Sequence, residues 1–154
     1  MNDILRILLL AVFTEITLSA LFLTLHIFFP DFLSRVRLQT ESTPGRAFLL
    51  GVVNTVFLGG IAVVLISIGG DIPGVLAVLV LSLGGIGMTF GLGGLVRIAG
   101  EHLLPGTSGF KQVLAGTGVL FLACLTPFLG WFGLLPYLAL LGLGACVGAL
   151  RQKG

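Results

Sequence analysis

Five long runs of apolar residues dominate the chain, at about residues 4–29, 47–68, 72–96, 112–129 and 131–150, and of the charged residues only Arg6 and Glu15 fall inside them. Each run reaches or approaches the ~20 residues that a helix needs to cross ~30 Å of hydrocarbon. A membrane β-barrel strand would instead alternate apolar and polar positions over ~10 residues. These runs are apolar on every face, so they are read as transmembrane helices. The last two are not one helix, because a continuous helix from Gln112 to Leu150 would be about 58 Å long at ~1.5 Å per residue. Pro127, Gly130, Gly133 and Pro136 supply the break, and a tight hairpin is predicted at Leu129-Gly130-Trp131. A second turn is predicted over residues 69–74, with Asp71 placed to cap the next helix and Pro73 in its first turn. Between the first two runs, Phe32, Leu33 and Val36 recur at helical spacing while Arg35, Arg37 and Gln39 point elsewhere. That pattern predicts a short helix over 31–39 lying on the membrane surface.

Composition sharpens this reading. Of 154 residues, 56% are hydrophobic and only 9% charged, and the mean hydropathy is +1.18. A soluble domain carries roughly a quarter charged residues, so water is not the main solvent here. The net charge of +2 is too small to point to nucleic acid, and no basic stretch is interleaved with aromatics. Cys124 and Cys146 both lie inside apolar runs, as core-filling cysteines do. The first run is not read as a cleavable signal peptide, although Leu18-Ser19-Ala20 ends in small residues. It is too long, Glu15 interrupts it, and its basic leader is a single Arg6 balanced by Asp3.

With five crossings, the basic residues divide unevenly. Arg35, Arg37, Arg46, Arg97, Lys111, Arg151 and Lys153 fall on one side, and Arg6 alone on the other. Short basic loops stay in the cytoplasm, which predicts an N-terminus outside and a C-terminus inside. Trp131 then falls at the outer interface as an anchor, and most polar surface faces the cytoplasm.

Three polar or small-residue features carry the remaining information. Glu15 lies near the middle of the first run, where an ionised carboxylate costs at least a few kcal/mol; it must be neutral or well paired. Asn54 and Ser82 come out at similar depth by residue count and are its expected partners. A proton or cation pathway through Glu15 is the competing role. Gly84, Gly87 and Gly91 in the third run, with Gly144 and Gly148 in the last, have the spacing that lets helices approach closely, so the third helix is expected at the centre of the bundle. The glycines do not follow a strand and carry no Lys-Ser or Lys-Thr ending, so they are not a phosphate loop. His26 and His102 lack a metal-ligand spacing, and no metal or cofactor is expected. Nor is a nucleophile, base or acid pair assembled near the interface, so the chain is read as non-enzymatic.

The stretch Thr43-Pro44-Gly45-Arg46 followed by Leu49 and Gly51 is echoed by residues 107–111 followed by Leu114 and Gly116, which suggests a parallel repeat about an axis along the membrane normal.

The stretches Phe29-Pro30-Asp31-Phe32, residues 44–51, residues 66–73 and residues 127–131 resemble an uncharacterised family of small bacterial membrane domains that often accompany bactofilin-type polymer-forming proteins. The resemblance implies a membrane platform associated with a cytoplasmic scaffold, with no catalytic residues to carry over. The expected protein is thus an all-α integral membrane bundle of about five helices in the bacterial inner membrane. Its expected role is that of an anchor, scaffold or accessory subunit. Its expected partners are lipid and a membrane or cytoplasmic protein, a second copy of the chain among the candidates.

Overall fold

The computed structural model describes residues 2–126 and 128–151, and all regular structure among them is helical. The helices are α1 (Asn2–Phe28), α2 (Pro30–Ser42), α3 (Pro44–Ile68), α4 (Asp71–Leu103) and α5 (Gly109–Leu125), followed by a π-helical segment (Leu129–Leu134) and α6 (Leu135–Arg151). Four stretches are long and apolar enough to cross a membrane: Asp3–Phe28, Pro44–Ile68, Asp71–Leu103 and Gly130–Arg151. Helix α5 is apolar but shorter. The chain is an all-α membrane bundle.

Proline and glycine set the boundaries. Pro30 and Pro44 open α2 and α3 as first-turn residues, where the missing N–H costs nothing and the fixed φ suits a helix. Gly69 and Gly70 join α3 to α4 with φ of 73° and 91°, a region that residues with a Cβ rarely enter. Asp71 does not cap α4; it is the first helical residue and Gly70 holds the cap position, so its carboxylate acts on the helix N-terminus only through the dipole.

Helix α4 has 33 residues, about 50 Å at ~1.5 Å per residue. That exceeds the ~30 Å of hydrocarbon, so its last turns, with Arg97, Glu101 and His102, extend past the apolar layer. It touches each of the other five helices. The centre is shared with α6, whose residues from Leu138 to Ala149 are largely buried.

Close backbone packing holds this centre. A Cβ on Gly91 would overlap the backbone of Gly142, and one on Gly87 would come within 2.8 Å of Leu143. Without side chains between them, α4 and α6 gain dispersion contacts along bare backbone, the main attraction available where lipid replaces water. Gly84 meets only Leu58 of α3, at an ordinary 3.4 Å.

The two echoed segments are used alike. A Cβ on Gly51 of α3 would overlap the Leu140 carbonyl of α6, and one on Gly144 would overlap the Ala47 carbonyl of α3. Likewise a Cβ on Gly116 of α5 would overlap the Val96 carbonyl of α4, and one on Gly100 would overlap the Gln112 carbonyl of α5. Each pair interlocks a glycine with the residue four before its partner glycine.

Besides the Asp71 cap, two expectations fail. No tight hairpin forms at residues 129–131. The backbone stays helical, with Gly130 N–H donating to the Thr126 carbonyl at 2.9 Å and Phe132 N–H to that of Phe128 at 3.3 Å, and α5 and α6 barely touch. Residues 129–134 form a π-helical segment in place of the tight turn, and Trp131 is 68% exposed beside it. Pro127, one of the expected breakers, lies outside the described residues. Secondly, the helix expected over 31–39 forms, longer, but its apolar face turns to protein and not to lipid. Leu33 and Val36 are fully buried. They pack on Gly93 and Gly94 of α4, where a Cβ would come within 3.0 Å and 2.8 Å of their methyl groups. Phe90 of α4 is held edge-on by Phe29 and Phe32, with centroids 5.3 Å and 5.5 Å away. The amphipathic face meets protein because the paired glycines leave a slot that fits it.

Candidate functional site

Two polar constellations stand out, one within the membrane-spanning part and one at its basic end. In the first, Glu15 lies on the side of α1 that packs against α5, its Oε1 facing the bare backbone of Gly118. Ser19, one turn further along and 6% exposed, donates to Glu15 Oε1 at 3.3 Å. Glu15 Oε2 is buried without a hydrogen-bond partner.

The expected partners are elsewhere. Asn54 Nδ2 donates to the Leu50 carbonyl at 2.7 Å, and Ser82 Oγ to that of Val78 at 2.7 Å. Both side chains return to their own helices, as polar groups in apolar surroundings do when no neighbour is in reach. Equal depth did not translate into contact because α1 packs on α5 and α4, not on α3. Ser82 is exposed on the outside of α4.

At the basic end, Arg37 of α2 grips Glu101 of α4 in a two-pronged fork, Nη1 to Oε1 at 2.6 Å and Nη2 to Oε2 at 2.5 Å. Arg97 adds a contact to Oε1 at 3.2 Å, and Arg37 reaches Glu41 at 3.3 Å. Parallel charge-assisted bonds of this kind fix orientation as well as adding energy. The Arg97 to Glu101 spacing of four was readable in the sequence; the longer-range Arg37 contact was not. Gln112, 8% exposed at the start of α5, donates to the Leu104 carbonyl at 3.3 Å and ties this corner to α5.

These contacts gather the basic residues at one end. Arg35 and Arg37 sit on α2, which Glu101 ties to the end of α4. Gly100 of α4 packs on Gln112, beside Lys111. Arg46 and Arg151 line one cavity with Gln39, and Arg97 lines another with His26, Gly109 and Phe110. Arg6 belongs to the other end of α1. Lys153 lies outside the described residues. Arg35, Arg46, Lys111 and Arg151 have no acidic partner among the described residues. His26 Nδ1 meets the Phe22 carbonyl at 2.9 Å, and its buried Nε2 has no partner. His102 Nδ1 meets the Ile98 carbonyl at 2.9 Å. Of the packing glycines, Gly148 meets the side chain of Gln39, with Cγ 2.9 Å from where a Cβ would be.

Comparison with family models, with curated proteins and with solved structures gives no match.

Proposed function

We propose that this chain is a non-enzymatic platform of the bacterial inner membrane, an anchor or accessory subunit for a larger assembly, with its basic end in the cytoplasm. The observation that carries this reading is the gathering of Arg35, Arg37, Arg46, Arg97, Lys111 and Arg151 at one end of the bundle, with Arg6 at the other. Such an asymmetry orients a polytopic protein by retention of its basic segments. It also presents to the cytoplasm a surface fixed by the Arg37–Glu101 fork, suited to hold a partner in a set position. The resemblance to membrane domains that accompany polymer-forming scaffolds points the same way. Extraction in a mild detergent followed by affinity purification tests it. A cytoplasmic or membrane protein recovered at fixed stoichiometry is the expected result, and a chain that purifies alone and unassociated overturns the reading.

A second reading rests on the buried, unpartnered Oε2 of Glu15, the kind of group that marks an ion path in a membrane protein. In this reading Glu15 relays a proton or cation along the α1–α5 seam. Reconstituted liposomes decide between the two: a flux that Glu15→Gln abolishes supports the path, and a flux absent or unchanged in the variant removes it.

A further inference from the structure

At the basic end, α3 and α6 enclose a cavity of about 420 Å³ lined by Gln39, Arg46, Leu49, Leu50, Gly148 and Arg151. Its two guanidinium groups come from opposite parts of the chain, and both residues are exposed. Neither has an acidic partner among the described residues, unlike Arg37 and Arg97, which share Glu101. Two like charges facing one cleft repel each other, and only an anion between them turns that repulsion into attraction. The rest of the lining fits the same occupant. Leu49 is 65% exposed and Leu50 half-buried, one turn further into the apolar span from Arg46, so the cleft is cationic at its mouth and apolar below. Gly148 lets the polar side chain of Gln39 lie against α6 in the cavity wall, with its Cδ and Nε2 3.0 Å from where a Cβ would be.

The geometry points to a binding site for the phosphate headgroup of an anionic phospholipid, held between Arg46 and Arg151 with an acyl chain lying along Leu49 and Leu50. Basic pockets between membrane helices on the positive side take such headgroups, and a planar guanidinium suits phosphate oxygens in pairs. A phospholipid is favoured over a soluble phosphate because Arg46 opens directly onto exposed leucine, which a small inorganic ion has no means to cover. The site rests on the membrane character of the bundle and not on the platform role, so it stands or falls separately from that proposal.

Native mass spectrometry of the detergent-solubilised full chain, given equimolar phosphatidylglycerol and phosphatidylcholine, tests it. Wild type is expected to retain phosphatidylglycerol preferentially. Arg46→Gln and Arg151→Gln each lower the preference roughly fivefold, as one basic group near an anionic headgroup implies, and the double variant abolishes it. Lys111→Gln, which removes one charge at the same end, leaves the preference unchanged. Circular dichroism establishes that each variant is folded; if the double variant is not, the single variants decide. Equal retention of the two lipids by wild type overturns the site, as does a preference that survives both substitutions. Displacement of phosphatidylglycerol by inorganic phosphate, at concentrations where chloride of equal ionic strength has no effect, overturns the lipid assignment in favour of a soluble anion.

Discussion

Gly51 and Gly144 meet backbone to backbone: a Cβ on either would overlap a carbonyl of the opposite helix, at Leu140 for one and Ala47 for the other. Gly116 and Gly100 repeat the relationship between α5 and α4. The two starts that resemble each other in sequence therefore do the same mechanical work.

Substitution at these positions is expected to be costly in proportion to the backbone displaced. Gly51→Val, Gly144→Val and Gly116→Val should each destabilise the bundle by about 1–3 kcal/mol or more, the range for overpacking a closed interior. Gly59→Ala and Gly60→Ala, where a Cβ meets nothing within 4 Å, should be neutral or stabilise by about 0.5–1 kcal/mol, since a helical glycine gains from a methyl group. Unfolding in graded SDS, followed by circular dichroism, measures both. Equal losses in the two sets would contradict the packing.

The Arg37–Glu101 fork ties α2 to α4. Glu101→Gln removes the charge that both Arg37 and Arg97 share and should cost about 1 kcal/mol, the upper part of the range for partly exposed pairs, because the geometry is two-pronged and networked. Arg37→Lys keeps the charge but not the fork and should cost part of that. Glu41→Gln touches the single-contact partner and should cost little. Thermal unfolding in detergent at low and high salt is the measurement, and the Glu101 effect should shrink as salt rises.

Because Asn54 and Ser82 bond only to their own helices, Asn54→Leu and Ser82→Ala should change stability by less than about 0.5 kcal/mol. Glu15→Gln removes a carboxylate whose second oxygen is buried and unpartnered, and should leave stability unchanged or raise it. Glu15→Lys, which brings a cation with no acid beside it, should impair insertion. Expression level and SDS unfolding distinguish these outcomes; a large loss in Asn54→Leu would restore the link to Glu15.

The orientation of the bundle is open to labelling. In a chain with Cys124 and Cys146 replaced by alanine, single cysteines at Arg46 and Lys111 should react with an impermeant maleimide from the same side of the membrane. A cysteine at Asp71 should react from the other. In intact cells with the outer membrane permeabilised, Asp71→Cys is expected to label and the other two to stay protected until the inner membrane is opened.

Much of the architecture was legible in the sequence, because the transfer of a side chain from water to hydrocarbon is large and local. Apolar run length gave the helices, and charge position gave the end at which Arg46 and Lys111 both lie. Adjacency was not legible. Helices in lipid choose neighbours by shape, and nothing in the hydropathy of α1 records that Glu15 faces Gly118 rather than Asn54. The segment at 129–134 misled for a related reason: glycine and proline mark an interruption in either case, and residue type does not record whether it takes the form of a tight turn or of a π-helical segment. The amphipathic pattern of α2 was read correctly as a pattern and assigned to the wrong surface, since a slot made by Gly93 and Gly94 is as apolar as a lipid tail.

The residues from Ile4 to Phe13 in α1 are almost all more than half exposed, Phe13 by 74%, while Ser19 and Phe22 further along are buried. The far portion of that helix thus packs against little else in the chain. Contacts within the chain leave the inclination of that arm free, so a change in bilayer thickness can be met by tilting it while the interlocked α3, α4 and α6 keep their registration.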